Sequence, residues 1–413
     1  FMDWREEETQ PSDRLSLLDR FEKRLQTFFQ PQANQTRGLR CLCLTNLAFA
    51  LFYFFAGRLG LLFSIPDGHP SPLWLPSGVA LGAVMLMGTR VIPGIWLGAF
   101  FVNLSSSLLW SQPVGSFDLV MSGIGVSTGA CLAAAIGATL IKRSVGNRHP
   151  LERVGDVFCL LGLGGIVGCL VSAFAGTATV CLSGTVPWSR FGETITTWWL
   201  GDATGVFVVT PLSFVWTTTT QAKLEERRFE CLSCFGLTGL LSYLTFIESP
   251  TLPLGLVLTP FMLQPFILWA AVRTGSRGAI IAMVITSMIA VWGTVHTEGP
   301  FSWIVRADKL LMLDVFLGMN VLTALCMSAT VIERHQAESS LWKANNQLEQ
   351  HVLHRTEQLN HAIAQLKSEI TERQQIQTQL AERGIHLRSI LESVPVCVKL
   401  LAQDGTLLEM NAA

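Results

Sequence analysis

The chain has 413 residues, of which 50% are hydrophobic and 14% are charged, and its formal net charge is −1. Soluble proteins carry about 25% charged residues, so this composition excludes an ordinary soluble domain, and the balanced charge gives no indication of a nucleic-acid partner. Charged residues are much denser in residues 1–40 and 333–413 than in the stretch between them, which contains long apolar runs. The sequence therefore predicts an all-α polytopic membrane helix bundle between two ends of soluble character.

Residues 1–39 are predicted to be a cytoplasmic N-terminal segment. Its stretch DRLSLLDRFEKRLQTFF, residues 13–29, places leucines and a phenylalanine on one helical face and basic residues on the other. This pattern is typical of an interfacial helix lying on a membrane, and a disordered tail is the equal alternative.

Residues 40–332 form the predicted membrane domain. Apolar segments of membrane-helix length lie near residues 41–63, 73–89, 92–110, 117–141, 157–182, 196–216, 232–247, 254–272, 278–296 and 309–332. Two of these ten are short, so we expect about 8–10 spans. With a cytoplasmic N-terminus, the loops on the outer side contain few basic residues, namely Arg190, Arg306 and Lys309. The positive-inside rule then predicts that both termini are cytoplasmic.

Several charged, polar and tryptophan side chains within the predicted spans map to the outer half of the membrane. Intramembrane ionisable residues are costly and usually face a bundle interior. We predict an outward-facing ligand-binding pocket rimmed by tryptophans, in which Arg58 pairs with Asp202 or Asp314. The open alternative is a polar network that only joins helices, with the tryptophans in the usual interfacial belt. The candidate ligand-binding residues are Arg58, Trp74, Ser77, Asn103, Trp198, Trp199, Asp202 and Asp314.

No catalytic residue, metal site or cofactor is predicted from the sequence. Cys231 and Cys234 form a Cys-x-x-Cys pair, but no second pair accompanies it, and it lies at the start of an apolar span. Buried cysteines commonly behave as small hydrophobic residues, and that interpretation is favoured here.

Two separated motifs carry a family resemblance. The stretch LWLPSGVALGAVMLMGTRVIPGIWLGAFFVNL, residues 73–104, is similar to the opening signature of the type-one membrane-associated sensor (MASE) domain, with Leu75 where that signature has a proline. The stretch WWLGDATGVFVVTPL, residues 198–212, resembles its second signature, and Gly57 to Gly60 approximate a third. The resemblance covers roughly residues 40–335 and implies a sensory input module of a bacterial signalling protein.

From Glu333 the composition changes to Gln, Glu, Arg and Leu, and residues 333–390 are predicted to form a dimeric coiled-coil signalling helix. A heptad pattern places Leu341, Leu348 and Ile376 at one seam position and Val352, Leu359, Leu366 and Leu380 at the other. Polar residues also fall on the seam, and such residues fix register at a cost in stability. The predicted assembly is a parallel homodimer.

Residues 391–413 resemble the opening of a PAS domain. A strand is predicted at 396–401, a hairpin turn at Asp404 and Gly405, and a second strand at 407–410. Only the start of such a domain is present, so the chain is expected to stop within it.

The preferred functional interpretation is the membrane input part of a sensor histidine kinase in the bacterial inner membrane. An input for a diguanylate cyclase or phosphodiesterase is the near alternative, and a transporter is the alternative of another class. The expected partners are a second copy of the chain, the lipid bilayer, and a stimulus that is a small molecule or a membrane protein. No nucleic-acid partner is expected.

Overall fold

The computed structural model describes residues 35–64, 71–109, 116–146, 148–214, 228–248, 251–252, 256–257, 259–296, 299–301, 306–393 and 399–410. The interfacial helix predicted within residues 13–29 lies outside them. The described residues up to His335 form one compact unit, and those from Gln336 onward form a second.

The described chain is almost entirely helical. Its α-helices are α1 (Gln35–Leu62), α2 (Leu75–Met87), α3 (Ile92–Leu109), α4 (Ser116–Val145), α5 (Val154–Cys159), α6 (Cys169–Leu182), α7 (Phe191–Phe214), α8 (Arg228–Tyr243), α9 (Gln264–His296) and α10 (Arg306–Ser393). π-Helical turns follow α5 at Leu160–Gly168 and α8 at Leu244–Glu248, and short 3-10 turns lie at Thr89–Val91, Trp188–Arg190 and Pro260–Leu263. This confirms the predicted all-α membrane bundle.

Six stretches of the described helices are long and apolar enough to cross a membrane: Cys41–Leu62, Phe117–Val145, Val154–Leu182, Phe229–Glu248, Pro260–His296 and Lys309–Ser393. Leu75–Met87 is a shorter apolar helix. The segment predicted at 254–272 needs a correction, because its first residues include β2 (Leu256–Val257), which pairs with β1 (Thr251–Leu252) just before the segment. The helical part therefore begins only at Pro260, and α9 then runs through a kink at Gly275, whose φ is 69°.

The start of α2 follows from its sequence. Pro76 lies in the first turn, where a missing backbone N–H leaves no helical bond unmade. The Ser77 hydroxyl donates to the Trp74 carbonyl at 2.7 Å and lies 2.7 Å from the Asp202 carbonyl oxygen of α7. The Trp74 amide donates to the Gly201 carbonyl at 3.0 Å. These bonds join the two sequence motifs in space.

Close backbone contact completes the packing of α2 on α7. A Cβ on Gly205 would meet the Trp74 carbonyl oxygen, and a Cβ on Gly78 would meet the Gly205 carbonyl oxygen. Backbones that approach this closely require residues without side chains, as at many membrane helix contacts. The Thr210 hydroxyl adds a 3.1 Å bond to the Gly78 carbonyl.

Asn46 of α1 fixes the turn between α2 and α3. Its amide group donates to the Arg90 carbonyl at 3.0 Å, and its side-chain oxygen accepts from the Gly94 amide at 2.7 Å. Both bonds satisfy backbone groups at a helix start, which would otherwise lack partners within the helix.

The helices α8, α9 and α10 pack around aromatic side chains. The Phe246 ring centroid lies 5.4 Å from that of Phe316 and 6.1 Å from that of Phe301. Large apolar side chains on the outer faces of the first unit remain exposed, including Leu44, Phe55 and Phe174. Such a surface is typical of contact with lipid.

In the second unit, the C-terminal part of α10 exposes nearly all its side chains, including the seam residues Leu341, Leu348, Leu359 and Leu366. After it, β3 (Lys399–Leu401) pairs antiparallel with β4 (Leu407–Met410). Gly405 has a φ of 84°, and the Asp404 carboxyl accepts hydrogen bonds from the Thr406 amide and hydroxyl. Those bonds hold the pKa of the Asp404 carboxyl below its usual range. The predicted hairpin is confirmed for residues 399–410, and residues 396–398 of its first predicted strand lie outside the described residues.

Candidate functional site

A cavity of about 350 Å³ lies inside the first unit, which is the size expected of a small-molecule site. Its walls come from α1, α2, α3, α4, α6 and α7, from the π-helical turn Leu160–Gly168 and from three adjoining loops. None of the described residues of α8, α9 or α10 lines it. We call it the Asp202 cavity.

The lining changes character along the helices. At the end of the bundle where α1, α3 and α6 finish and α4 and α7 begin, the lining includes Ser64, Ser71, Ser106, Thr185 and Thr194. Deeper in the bundle it is made of small and apolar side chains: Leu81, Ala99, Ala130, Ala133, Ala134, Gly164, Gly168 and Val206. The small residues create the space, and the hydroxyl groups make its outer part polar.

Asp202 is the carboxyl group of this cavity. It lies eleven residues into α7, about 16 Å along the helix from Phe191, and only 2% of its surface is exposed. Its Oδ2 atom has no hydrogen-bond partner in the described part of the chain. The Ser172 side chain of α6 lies beside the carboxyl group. A buried carboxyl with an unsatisfied oxygen is costly, so this group is poised to accept from something that enters the cavity.

Aromatic side chains flank Asp202. Tyr53 of α1 lies close to both Asp202 and Trp74, and only 2% of its surface is exposed. Trp198 lies one helical turn before Asp202 on the same wall. Its ring packs on Gly176, where a Cβ would come within 2.8 Å of it. The cavity therefore combines one carboxyl group with the rings of Tyr53, Trp74 and Trp198.

The comparison with protein families decides the identity of this unit. A family model described as MASE1 matches residues 45–335, more than two thirds of the chain and every residue that lines the cavity. The chain belongs to the MASE1 family. MASE1 is a membrane sensor input domain of signalling proteins, and the protein is a multi-pass membrane protein. No curated protein and no solved structure matches the chain.

Five of the eight predicted site residues line the Asp202 cavity of the MASE1 unit: Trp74, Ser77, Asn103, Trp198 and Asp202. The other three do not. Trp199 is half-buried and donates its indole N–H to the Ile166 carbonyl at 2.9 Å. Arg58 is half-buried on α1. Adjacent residues on a helix point about 100° apart, which is why Trp198 and Trp199 face different surroundings.

Asp314 of α10 lies at a second, smaller cavity of about 250 Å³, together with Ser71, Glu193 and Thr197. Its Oδ1 accepts a 3.1 Å hydrogen bond from the Thr204 hydroxyl of α7. The carboxyl groups of Asp202 and Asp314 therefore lie on different sides of α7, the first in the Asp202 cavity and the second bonded to Thr204.

The predicted pairing of Arg58 with Asp202 or Asp314 is not found. Among the described residues, no ion pair or hydrogen bond joins Arg58 to either carboxyl group. The hydroxyls of Ser172 and Thr204 lie beside these carboxyl groups instead. The physical reason is helical phase, because Gly57 and not Arg58 faces the neighbouring helix α3 at Val102.

Tyr53, Cys169 and Ser172 line the cavity but were not among the sequence candidates. Tyr53 could have been found, because the chain has only two tyrosines and this one lies within an apolar span. Ser172 offered no comparable signal, since hydroxyl groups often bond within their own helix in apolar spans.

The described residues contain no group of three or more His, Cys, Asp or Glu side chains that could hold a metal ion. Cys231 and Cys234 are both buried on α8. They pack as small side chains, in agreement with the sequence interpretation.

Three side chains tie α10 to the rest of the MASE1 unit. Besides Asp314, the Asn320 side-chain oxygen accepts from the Gln264 amide of α9 at 3.0 Å. Glu333 accepts from the backbone amide of Val154 at 3.2 Å, at the first residue of α5. A carboxylate at a helix start satisfies an orphan N–H and is favoured by the helix dipole.

Proposed function

We propose that this MASE1 unit is the input part of a bacterial sensor histidine kinase and that its stimulus is a small molecule bound in the Asp202 cavity. The observation that carries the proposal is the cavity with its buried carboxyl group, one oxygen of which has no partner among the described residues. Buried polar groups usually have a partner. Some buried hydroxyls, such as those of Thr177 and Ser287, also have none in the described part of the chain, but the Asp202 oxygen belongs to an ionisable group and to the cavity lining. That combination favours a binding role.

Transmission of the signal is proposed to run through α7 to α10. Asp202 on α7 faces the cavity, and Thr204, two residues further on, bonds to Asp314 of α10. A ligand that prefers one position of α7 would bias the position of α10, provided that it binds the two states with different affinity. The Glu333 bond to Val154 gives α10 a further attachment, near the end of the first unit.

The C-terminal part of α10 is proposed to pair with a second copy of the chain as a parallel coiled coil in the cytoplasm. Its apolar seam residues are exposed in the single chain, among them Leu341, Leu348 and Leu359. A long helix of this kind is marginal without a folding partner. Two copies in the same inner membrane would send this helix out on the same face, which supports a parallel arrangement. Disulfide crosslinking of cysteines introduced along residues 341–380 tests it, and an absence of intermolecular crosslinks would contradict it.

The hairpin of β3 and β4 resembles the opening of a PAS domain, which supports an output domain farther along a signalling chain. Kinase and cyclase outputs are distinguished by incubating the full-length protein with labelled ATP or GTP. We expect phosphate transfer from ATP to a histidine side chain. Formation or hydrolysis of cyclic di-GMP would instead support the cyclase or phosphodiesterase alternative.

Filling the cavity tests the binding role directly. Ala133 lines the cavity, whereas Leu132, its neighbour on α4, is exposed on the outer face. We expect Ala133→Phe to change the output of the full-length protein by at least about fivefold, as expected for a coupling of about 1 kcal/mol. Leu132→Phe is the matched control and should behave as the unmodified protein. Equal outputs from both variants would contradict the proposed function.

A further inference from the structure

We propose that the Asp202 cavity selects small organic amines: ligands with a protonated amino group that lies against the Asp202 carboxyl and an apolar body that fills the deeper part of the cavity. This inference rests on the proposed binding function and adds the chemical class of the ligand. It follows from the charge, the aromatic walls, the size and the polarity gradient of the cavity.

Charge gives the first argument. Among the described residues that line the cavity there is no Lys, Arg or His, and Asp202 is the one carboxyl group. An acidic ligand would meet a carboxyl group and no basic side chain. An ammonium group, by contrast, would be attracted to the Asp202 carboxyl, whose Oδ2 atom has no partner among the described residues. Hydrogen bonds between charged groups are about twice as strong as neutral ones, and a buried carboxylate is stabilised when it is paired.

The aromatic walls give the second argument. Trp74, Trp198 and Tyr53 line the same cavity as Asp202. Cations are attracted to the faces of aromatic rings, most strongly to tryptophan, and the attraction is largest where water is excluded. A carboxyl group surrounded by rings is therefore well matched to an ammonium ion.

The volume of the cavity and the small number of carboxyl groups in its lining exclude a metal ion as the preferred cation. Calcium is bound by six to eight oxygen atoms, and magnesium requires octahedral coordination. The described lining supplies a single carboxyl group, and about 350 Å³ is far more space than one ion fills. The deeper part of the cavity, beyond Asp202, is lined by Leu81, Ala133, Ala134 and Val206, which suit a hydrocarbon or an aromatic ring.

The polar end of the cavity agrees with this orientation. The hydroxyl groups of Ser64, Ser71, Ser106 and Thr194 lie at the end of the bundle where the cavity begins. They can accept hydrogen bonds from an ammonium group that moves towards Asp202. The ammonium group therefore need not lose all its hydrogen bonds to water in one step.

The test uses three probes of nearly equal size that differ in charge: phenethylamine, 2-phenylethanol and 3-phenylpropanoate. The full chain is reconstituted in lipid nanodiscs, and binding is followed by calorimetry and by the change in tryptophan fluorescence. We expect saturable binding of phenethylamine, with affinity at least about tenfold above that for the alcohol, as for a charge-assisted bond. No saturable binding is expected for the carboxylate.

Variants show whether Asp202 is responsible. Asp202→Asn keeps the size of the side chain and should weaken phenethylamine binding to the level of the alcohol. Glu193→Gln is the matched control, because it removes a carboxyl charge from the same helix at an exposed residue that does not line the Asp202 cavity, and it should leave amine binding unchanged. Trp198→Leu is the second test, which serves also if Asp202→Asn does not fold. It should weaken binding of the amine more than binding of the alcohol, by roughly fivefold or more.

Equal binding of amine and alcohol would overturn the inference, and so would amine binding that Asp202→Asn leaves intact or an absence of saturable amine binding. None of these results decides the proposed function, because Ala133→Phe tests the role of the cavity in output without any probe. Conversely, specific amine binding together with an unchanged output from Ala133→Phe would contradict the proposed function and leave the binding site established.

Discussion

The surroundings of Asp202 and of Asp314 differ although both carboxyl groups are buried in the same apolar bundle. Asp314 accepts a hydrogen bond from Thr204 and thereby links two helices. Asp202 lies in a larger cavity, and one of its oxygen atoms has no partner among the described residues. The first arrangement is what a structural polar contact requires, and the second is what a binding site requires. Burial of an acidic residue in a membrane bundle does not by itself distinguish the two.

The largest expected effect comes from disrupting the packing of α7, the helix that lies between the two carboxyl groups. In Gly205→Val the new side chain would collide with the Trp74 carbonyl, so α2 could no longer pack on α7. We expect a loss of about 4 kcal/mol or more in the free energy of unfolding, measured by denaturant titration in detergent. Gly192→Val on the same helix is the control, because nothing lies within 4 Å of a Cβ at Gly192. Equal destabilisation by both variants would show that the close contact is unimportant.

The two aspartates should respond in opposite directions to replacement by leucine. Asp314→Leu leaves the Thr204 hydroxyl without its acceptor, so we expect a loss of about 1–3 kcal/mol. Asp202→Leu removes an unpartnered polar atom and fills space, so we expect a gain of about 1 kcal/mol together with loss of amine binding. Thermal unfolding of the two variants in one detergent compares them. A loss of stability in both would mean that Asp202 also has a structural role.

A smaller difference in stability is expected when the hydroxyl groups beside the two aspartates, those of Thr204 and Ser172, are removed. Thr204→Val removes the donor to Asp314 with little change of shape and should cost about 1–2 kcal/mol. Ser172→Ala removes the hydroxyl beside Asp202 and should cost less than about 0.5 kcal/mol, because that site is already incompletely satisfied. Both values come from chemical denaturation. A larger cost at Ser172 would show that Asp202 depends on it for stability.

The smallest effect is expected at Glu333. Like Asp314, it is a carboxyl group of α10 that accepts a hydrogen bond from another helix. Glu333→Gln keeps an acceptor for the Val154 amide but removes the charge at the start of α5. We expect a loss of about 0.3–1 kcal/mol and a change in output, measured as the activity of the full-length protein. Glu357→Gln, at an exposed position on α10, is the control for the change of charge. An unchanged output with Glu333→Gln would argue against this attachment as part of the signal path.

Most predictions that depend on local sequence are confirmed. The apolar segments are helical, Pro76 lies at the start of α2, and Gly405 turns the final hairpin. These features follow from composition, from the fixed φ of proline and from the freedom of glycine at positive φ, so a single stretch of sequence is enough to predict them. The exception is the strand Leu256–Val257, at the start of the segment predicted at 254–272, whose apolar character does not separate strand from helix.

Sequence alone determined that this protein is a helical membrane sensor of the MASE1 type, because length, hydropathy and motif order are properties of the chain itself. Tertiary structure alone decided which polar groups share a space. Trp74, Ser77, Asn103, Trp198 and Asp202 meet at one cavity, whereas Arg58 and Trp199 face other surroundings. The reason is that depth in the membrane can be counted along a span, but the direction of a side chain depends on the rotation and packing of each helix.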